Sequence, residues 1–156
     1  ATVKKYIQVL EALYIVFIVT PFSTNIARSI IKEPKIYFFD TGLLTTDHGA
    51  KLENAVANCL LKSLYAQNDM HATEYSLQFL RTKDGQEIDF AIVNKNVVEE
   101  IIEVKSSQNN LHPALLKFHR KYNLPAVQIV QNLRNNFISS GVKVLNLDTY
   151  LSELFL

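Results

Sequence analysis

Three residues of the stretch QEIDFAIVNKNVVEEIIEVKSS, residues 86–107, have side chains that could act together on a phosphate: Asp89, Glu103 and Lys105. Carboxylates are the oxygen donors that a hard ion such as Mg²⁺ takes, commonly one or two of them, with waters and substrate phosphate oxygens completing an octahedron. An ammonium beside such an ion orients an attacking water or neutralises charge growing on phosphorus. The candidate chemistry therefore depends on whether the chain brings Asp89, Glu103 and Lys105 together.

The stretch reads as a β-hairpin, with strands over 87–93 and 98–105 and a turn at Asn94, Lys95 and Asn96. A turn at Asn96 sets Asp89 opposite Glu103 and Ala91 opposite Ile101. Side chains alternate along a strand, so Glu103 and Lys105 share a face. The other face, Ile88, Phe90 and Ile92 against Val104, Ile102 and Glu100, is the expected core side. Like charges directly opposite in a sheet repel, and a divalent cation is the usual reason to keep them there. Glu87 shares the face of Asp89 and is a rival ligand. Alternating charge also guards exposed edge strands against aggregation, so the pattern needs support from the elements around it.

A helix predicted over 51–65 carries the apolar stripe Leu52, Val56, Cys59, Leu60 and Leu64, and Glu53 lies beside that stripe as a third carboxylate at the core edge. Cys59, within the stripe, is expected to be a buried, inert thiol. A strand over 75–81 and a Lys83-Asp84-Gly85 turn precede the hairpin. After it, Asn109 and Asn110 are expected to cap a helix with the face Leu111, Leu115, Phe118 and Tyr122. Strands at 126–130 and 142–147 follow, then a helix capped by Asp148. The order predicts an α/β sandwich with a mixed sheet flanked by helices. Upstream, residues 2–13 read as an amphipathic, largely packed helix, and 14–19 and 35–39 as strands joined by a loop holding Arg28 and Lys32. Asp40-Thr41-Gly42 is a turn whose Asp side chain bonds back to the backbone.

With 156 residues, 48% of them hydrophobic and 20% charged, the chain is one domain, or one domain with an appendage, and it folds. A net charge of +1 excludes coating of nucleic acid by bulk charge, so contact with nucleic acid must be local, at a rim such as Arg81, Lys83 and Lys117, with Arg120 and Lys121 nearby. A single cysteine excludes an internal disulfide and fits a cytoplasmic protein. The apolar run 12–19 is shorter than the roughly 20 residues a membrane helix needs, so no membrane association is expected. The four histidines, among them His112, show no metal spacing and read as surface residues. The chain starts at Ala1, which leaves open that it is part of a longer protein.

Glu53 on a helix, Asp89 in EIDF and Glu103-Val104-Lys105 in IEVKSS resemble the PD-(D/E)XK nuclease superfamily, whose core runs αβββαβ. That resemblance implies a restriction-endonuclease-like fold over 45–156. It makes Glu53, Asp89 and Glu103 ligands of Mg²⁺ (or Mn²⁺), and Asp89, Glu103 and Lys105 the catalytic set of a phosphodiester hydrolase acting on DNA or RNA. More narrowly, PKIYFFDTGL, LENAV, GQEIDF and IEVKSS are similar to the C-terminal domain of unknown function (DUF4143) that follows a AAA-type ATPase module in many bacterial and archaeal proteins. Residues 1–44 then resemble the end of a winged helix. No glycine-rich nucleotide loop ending in Gly-Lys-Ser or Gly-Lys-Thr occurs here, so ATP hydrolysis is excluded for this chain, and an ATPase module would be its partner within a longer protein. The alternative is a catalytically inactive nuclease fold that binds nucleic acid or a partner protein for that ATPase.

Overall fold

A computed structural model describes residues 2–23, 33–82, 84–107 and 110–155. It is an α/β protein built on one mixed sheet of eight strands in the order β2-β1-β3-β4-β5-β6-β8-β7. The strands are β1 (Val16–Pro21), β2 (Lys35–Phe38), β3 (Tyr75–Arg81), β4 (Glu87–Asn94), β5 (Val97–Lys105), β6 (Ala126–Val130), β7 (Phe137–Ser139) and β8 (Val142–Asn146). The helices are α1 (Thr2–Ala12), α2 (His48–His71), α3 (Pro113–Tyr122) and α4 (Leu147–Ser152).

The centre of the sheet is the antiparallel meander β3-β4-β5, after which α3 crosses over so that β6 lies parallel to β5, and β8 parallel to β6. From α2 to β6 the order is helix, three strands, helix, strand. One core cluster joins α2 and α4 to the sheet through Val56, Leu60, Phe90, Ile102 and Tyr150. The opposite cluster joins α3 through Leu115, Phe118, Ile88, Ala91 and Ile101. With both faces covered, the inner strands carry apolar residues on both sides, and all five residues of β6 are buried.

Local chemistry sets the element ends. Asp47 caps α2 by accepting from Ala50 N, so the helix starts at His48 and runs to His71, well beyond 51–65. Cys59 on it is half-buried, short of the burial its place in the stripe implied. His112 stands at the N-cap of α3 and Pro113 at its first turn, which moves the start past Asn110 because proline fixes the helical φ there. Asn146, ahead of Asp148, caps α4. Lys95 and Asn96 take positive φ, the backbone of a two-residue hairpin turn, between β4 and β5.

Two expectations change. Next to the turn the pairs are Asn94↔Val97 and Val93↔Val98, one residue off the register expected from a turn at Asn96. A shift between Ile92 and Val93 then brings in the expected pairs Ile92↔Glu100, Ala91↔Ile101 and Phe90↔Ile102, but Ile88 does not lie on the core side of Phe90. Between the pairs Gln78↔Ala91 and Leu80↔Ile88, β3 advances through Phe79 alone while β4 advances through Asp89 and Phe90. That is a β-bulge, and its extra residue reverses the facing of β4, so Ile88 packs in the α3 cluster and Phe90 in the α2 cluster. The second change concerns α1, which has no buried residue: Ile7 and Leu10 are half-buried while Val3 and Leu13 are exposed. Among the described residues its apolar face is covered only in part, at Ile7 and Leu10. The basic loop positions Arg28 and Lys32 lie outside the described residues.

Candidate functional site

The β4–β5 ladder has its last paired residues at Phe90↔Ile102. Beyond that point the two carboxylates take over its work. Val104 N donates to Asp89 Oδ2 at 2.9 Å, and Asp89 N approaches Glu103 Oε2 at 3.4 Å, a long contact. The bulge at Asp89 makes this possible, because it lifts one strand out of register and re-aims the side chain. Asp89 and Glu103 thus come together as expected, by gripping each other's strand.

Lys105 Nζ donates to Glu103 Oε1 at 2.6 Å, as the shared face requires. Glu103 is only 3% exposed. Its pKa is raised by burial, against the opposing pull of Lys105. Asp89 is pushed up to about 7, first by burial and then by the charges of Glu103 and Glu53, with Lys35 and the Val104 N–H working the other way. His112 comes from the start of α3. Its Nδ1 lies 3.5 Å from Glu103 Oε1 but is not aligned for a hydrogen bond and is buried without one. Burial and Lys105 lower the His112 pKa. Gly85, Gln86, Glu87, Asp89, Glu103 and His112 line much of a cleft of about 460 Å³ between the start of β4 and α3.

Glu53 reaches the site through a residue the sequence did not single out. Lys35, the first residue of β2, places Nζ 3.0 Å from Glu53 Oε1, 2.7 Å from Glu87 Oε1 and 3.6 Å from Asp89 Oδ1. Its ammonium also lies 5.4 Å from the Phe79 ring centre and 5.9 Å from that of Phe90. Burial opposes its charge, yet Glu53, Asp89 and Glu87 outweigh burial and raise its pKa. Tyr37, two residues on along β2, donates its hydroxyl to the same Glu53 Oε1 at 2.5 Å. The Tyr37 pKa is raised by burial and by Glu53.

Asn54 fixes this side of the site. It is 2% exposed, accepts from Phe38 N at 2.8 Å, and donates to Phe38 O at 2.9 Å and to Thr41 Oγ1 at 3.0 Å. Asn58 donates to the same Phe38 carbonyl at 2.8 Å. A short 3-10 turn, Thr41–Leu43, follows, with Asp40 accepting from Gly42 N, so Asp40 is a turn former as read. LENAV and PKIYFFDTGL are thereby bonded to each other, which carries Lys35 to Glu53. Beyond the resemblance of PKIYFFDTGL and LENAV, the signals in the sequence that point here are the alternation of KIYF and the polar Asn54 between the apolar Leu52 and Val56.

Among the described residues no three acid, His or Cys side chains form a group that could hold a metal ion by themselves. The carboxylates Glu53 and Glu87 are taken up by Lys35, and Glu87 also pairs with Arg81 Nε. Of the basic rim, Arg81 is thus engaged by Glu87, Lys117 donates to Gln86 at 2.8 Å at the cleft edge, and Lys83 lies outside the described residues. Among the described residues no helix is long and apolar enough to cross a membrane.

Two family models match the chain, one described as a domain of unknown function (DUF8612) over residues 1–54 and one as a domain of unknown function (DUF4143) over residues 48–150. No curated protein and no solved structure matches it.

Proposed function

This chain belongs to the family described as a domain of unknown function (DUF4143), and from its site we propose that it is a Mg²⁺-dependent phosphodiesterase of the PD-(D/E)XK kind, acting on DNA or RNA. The order helix, three strands, helix, strand from α2 to β6 supports the fold half of that reading. The observation that carries the chemical half is the buried pair Asp89 and Glu103 with Lys105 on Glu103 Oε1 at 2.6 Å. The donor set fits a hard divalent ion. Asp89 and Glu103 are adjacent carboxylates whose pKa values are both raised, first by burial, and two hard oxygen donors held out of water are the set such an ion takes.

Asp89 and Glu103 would hold the ion, whose chemistry when bound is to polarise a phosphoryl oxygen and acidify a coordinated water. Lys105 presents an ammonium at the edge of Glu103, where it orients the water and offsets charge on the phosphate. Lys117, on the α3 side of the cleft, can meet the phosphate backbone away from the reacting group. An N-terminal AAA-type ATPase module as partner belongs to the same proposal, from the resemblance of PKIYFFDTGL, LENAV, GQEIDF and IEVKSS.

The test is cleavage of labelled single- and double-stranded DNA and RNA with Mg²⁺ or Mn²⁺. The expected result is cleavage by the wild-type chain, abolished by chelator and lowered at least ~100-fold in Glu103→Ala and Lys105→Ala. No cleavage by the wild-type chain on any of these substrates defeats the proposal. One observation favours a second reading, a binding module without catalysis: Lys35 already pairs with Glu53, Glu87 and Asp89. Nucleic-acid binding that weakens with salt but ignores both chelator and Glu103→Ala supports that reading.

A further inference from the structure

The place where three carboxylates meet holds an ammonium. Lys35 Nζ stands between Glu53, Glu87 and Asp89 at 3.0, 2.7 and 3.6 Å, and its side chain is 14% exposed. These acids come from α2 and β4, while Lys35 comes from β2, separated from β4 in the sheet by β1 and β3. Such a convergence is costly to build from like charges alone, and buried acids of one sign need a counter-charge to share a site. The Phe79 and Phe90 rings lie within cation–π reach of the ammonium.

We propose that Lys35 is the resident cation of this site, a positioning residue that holds the acidic wall together in the metal-free chain and gives up its hold on Asp89 when a divalent ion enters against Asp89 and Glu103. Entry of the ion is then an exchange of one cation for another. Two features of Lys35 suit it to that task. A lysine ammonium is a compact charge on a flexible four-carbon stem and can be withdrawn without moving the backbone. Its closest partner, Glu87, is tied separately to Arg81, so the wall keeps a cation at its outer end when Lys35 leaves. Tyr37 and Asn54 hold Glu53 and the end of β2, so the movement is confined to the lysine side chain.

The inference rests on the metal reading above, and the test separates the two. Mn²⁺ binding is followed by loss of the free-ion electron paramagnetic resonance signal, with no substrate present, at fixed pH and ionic strength. Lys35→Met, which keeps the stem and removes the charge, binds Mn²⁺ at least ~10-fold more tightly than wild type, because the ion no longer competes with an ammonium. Lys35→Arg, with a charge that engages carboxylates through several donors, binds no more tightly than wild type. Glu87→Gln removes the nearest anchor of Lys35 and binds more tightly, the reverse of what loss of a metal ligand would do. Should Lys35→Met fail to fold by circular dichroism, Glu87→Gln carries the test alone. Equal or weaker binding in a folded Lys35→Met, or weaker binding in Glu87→Gln, overturns the exchange while leaving the metal reading intact. No Mn²⁺ bound by wild type or by any of the three variants defeats both.

Discussion

Replacing Asp89 by Asn removes a charge the fold holds against its preference. Asp89 is held at about 7 against an ordinary 3.8, by burial, by Glu103 and by Glu53. Below the ordinary value both the folded and the unfolded chain carry the proton, and nothing is lost. As pH rises from 3.8 to about 7 the unfolded chain ionises first, so the folded chain loses stability through that window and then levels off. At about 1.4 kcal/mol per unit the whole window is worth about 4 kcal/mol, and its part between about pH 5 and about pH 8 about 3 kcal/mol. The side chain is 16% exposed, so solvent screens little of this. Asn keeps the oxygen that accepts from Val104 N and cannot ionise. The assay is urea unfolding followed by far-ultraviolet circular dichroism at both pH values, with chelator present. Wild type loses about 3 kcal/mol more than Asp89→Asn over this interval, because the other shifted groups are common to both proteins. Parallel pH profiles for the two proteins would falsify the assignment of a proton to Asp89.

Three further substitutions probe the frame of the fold. Asn54→Ala leaves Phe38 N–H without its acceptor in a part-buried position and costs about 1–3 kcal/mol, read from the urea midpoint, which must fall with an unchanged slope. Gly141→Ala meets both a φ of +84° and a Cβ that would lie 2.7 Å from His119 Nε2, whose ring is held by its bond to Leu124 O. Gly85→Ala meets a φ of +77° and open space. Calorimetry should therefore find Gly141→Ala the more damaging, with Gly85→Ala near the ~1 kcal/mol of the backbone conformation alone.

The chain was legible where its signals are local. Alternation over 87–93 and 98–105, the Asn-rich turn and the helix-period stripe of α2 gave the meander, the neighbourhood of Asp89 and Glu103, and the face shared by Glu103 and Lys105. What escaped is set by distance along the chain. Lys35 reads as the first residue of a short strand, and its meaning depends on β2 facing β4 across β1 and β3 and on α2 crossing over it. His112 reads as a surface residue because metal spacing was sought along one helix, whereas it meets Glu103 from the start of α3. The apolar stripe of α1 correctly marks a helix but carries no information about whether anything in this chain covers it. The bulge left no mark in EIDF, since one extra residue changes no composition and only half a period.

That extra residue acts as a change of phase. From Asn94 back to Phe90 the strand runs on one parity, and from Asp89 to Glu87 on the other, so a single strand stitches two separate interiors and the acid stands at the seam. Ile88 is delivered to one interior and Phe90 to the other, although both are equally apolar and two positions apart. A one-residue deletion at positions 89–90 would scarcely shorten β4. It would let β4 step residue for residue with β3 between the pairs Gln78↔Ala91 and Leu80↔Ile88, so Ile88 would keep facing α3 and Glu87 would keep facing Lys35, while one of the two residues that share the seam, Asp89 or Phe90, would be gone.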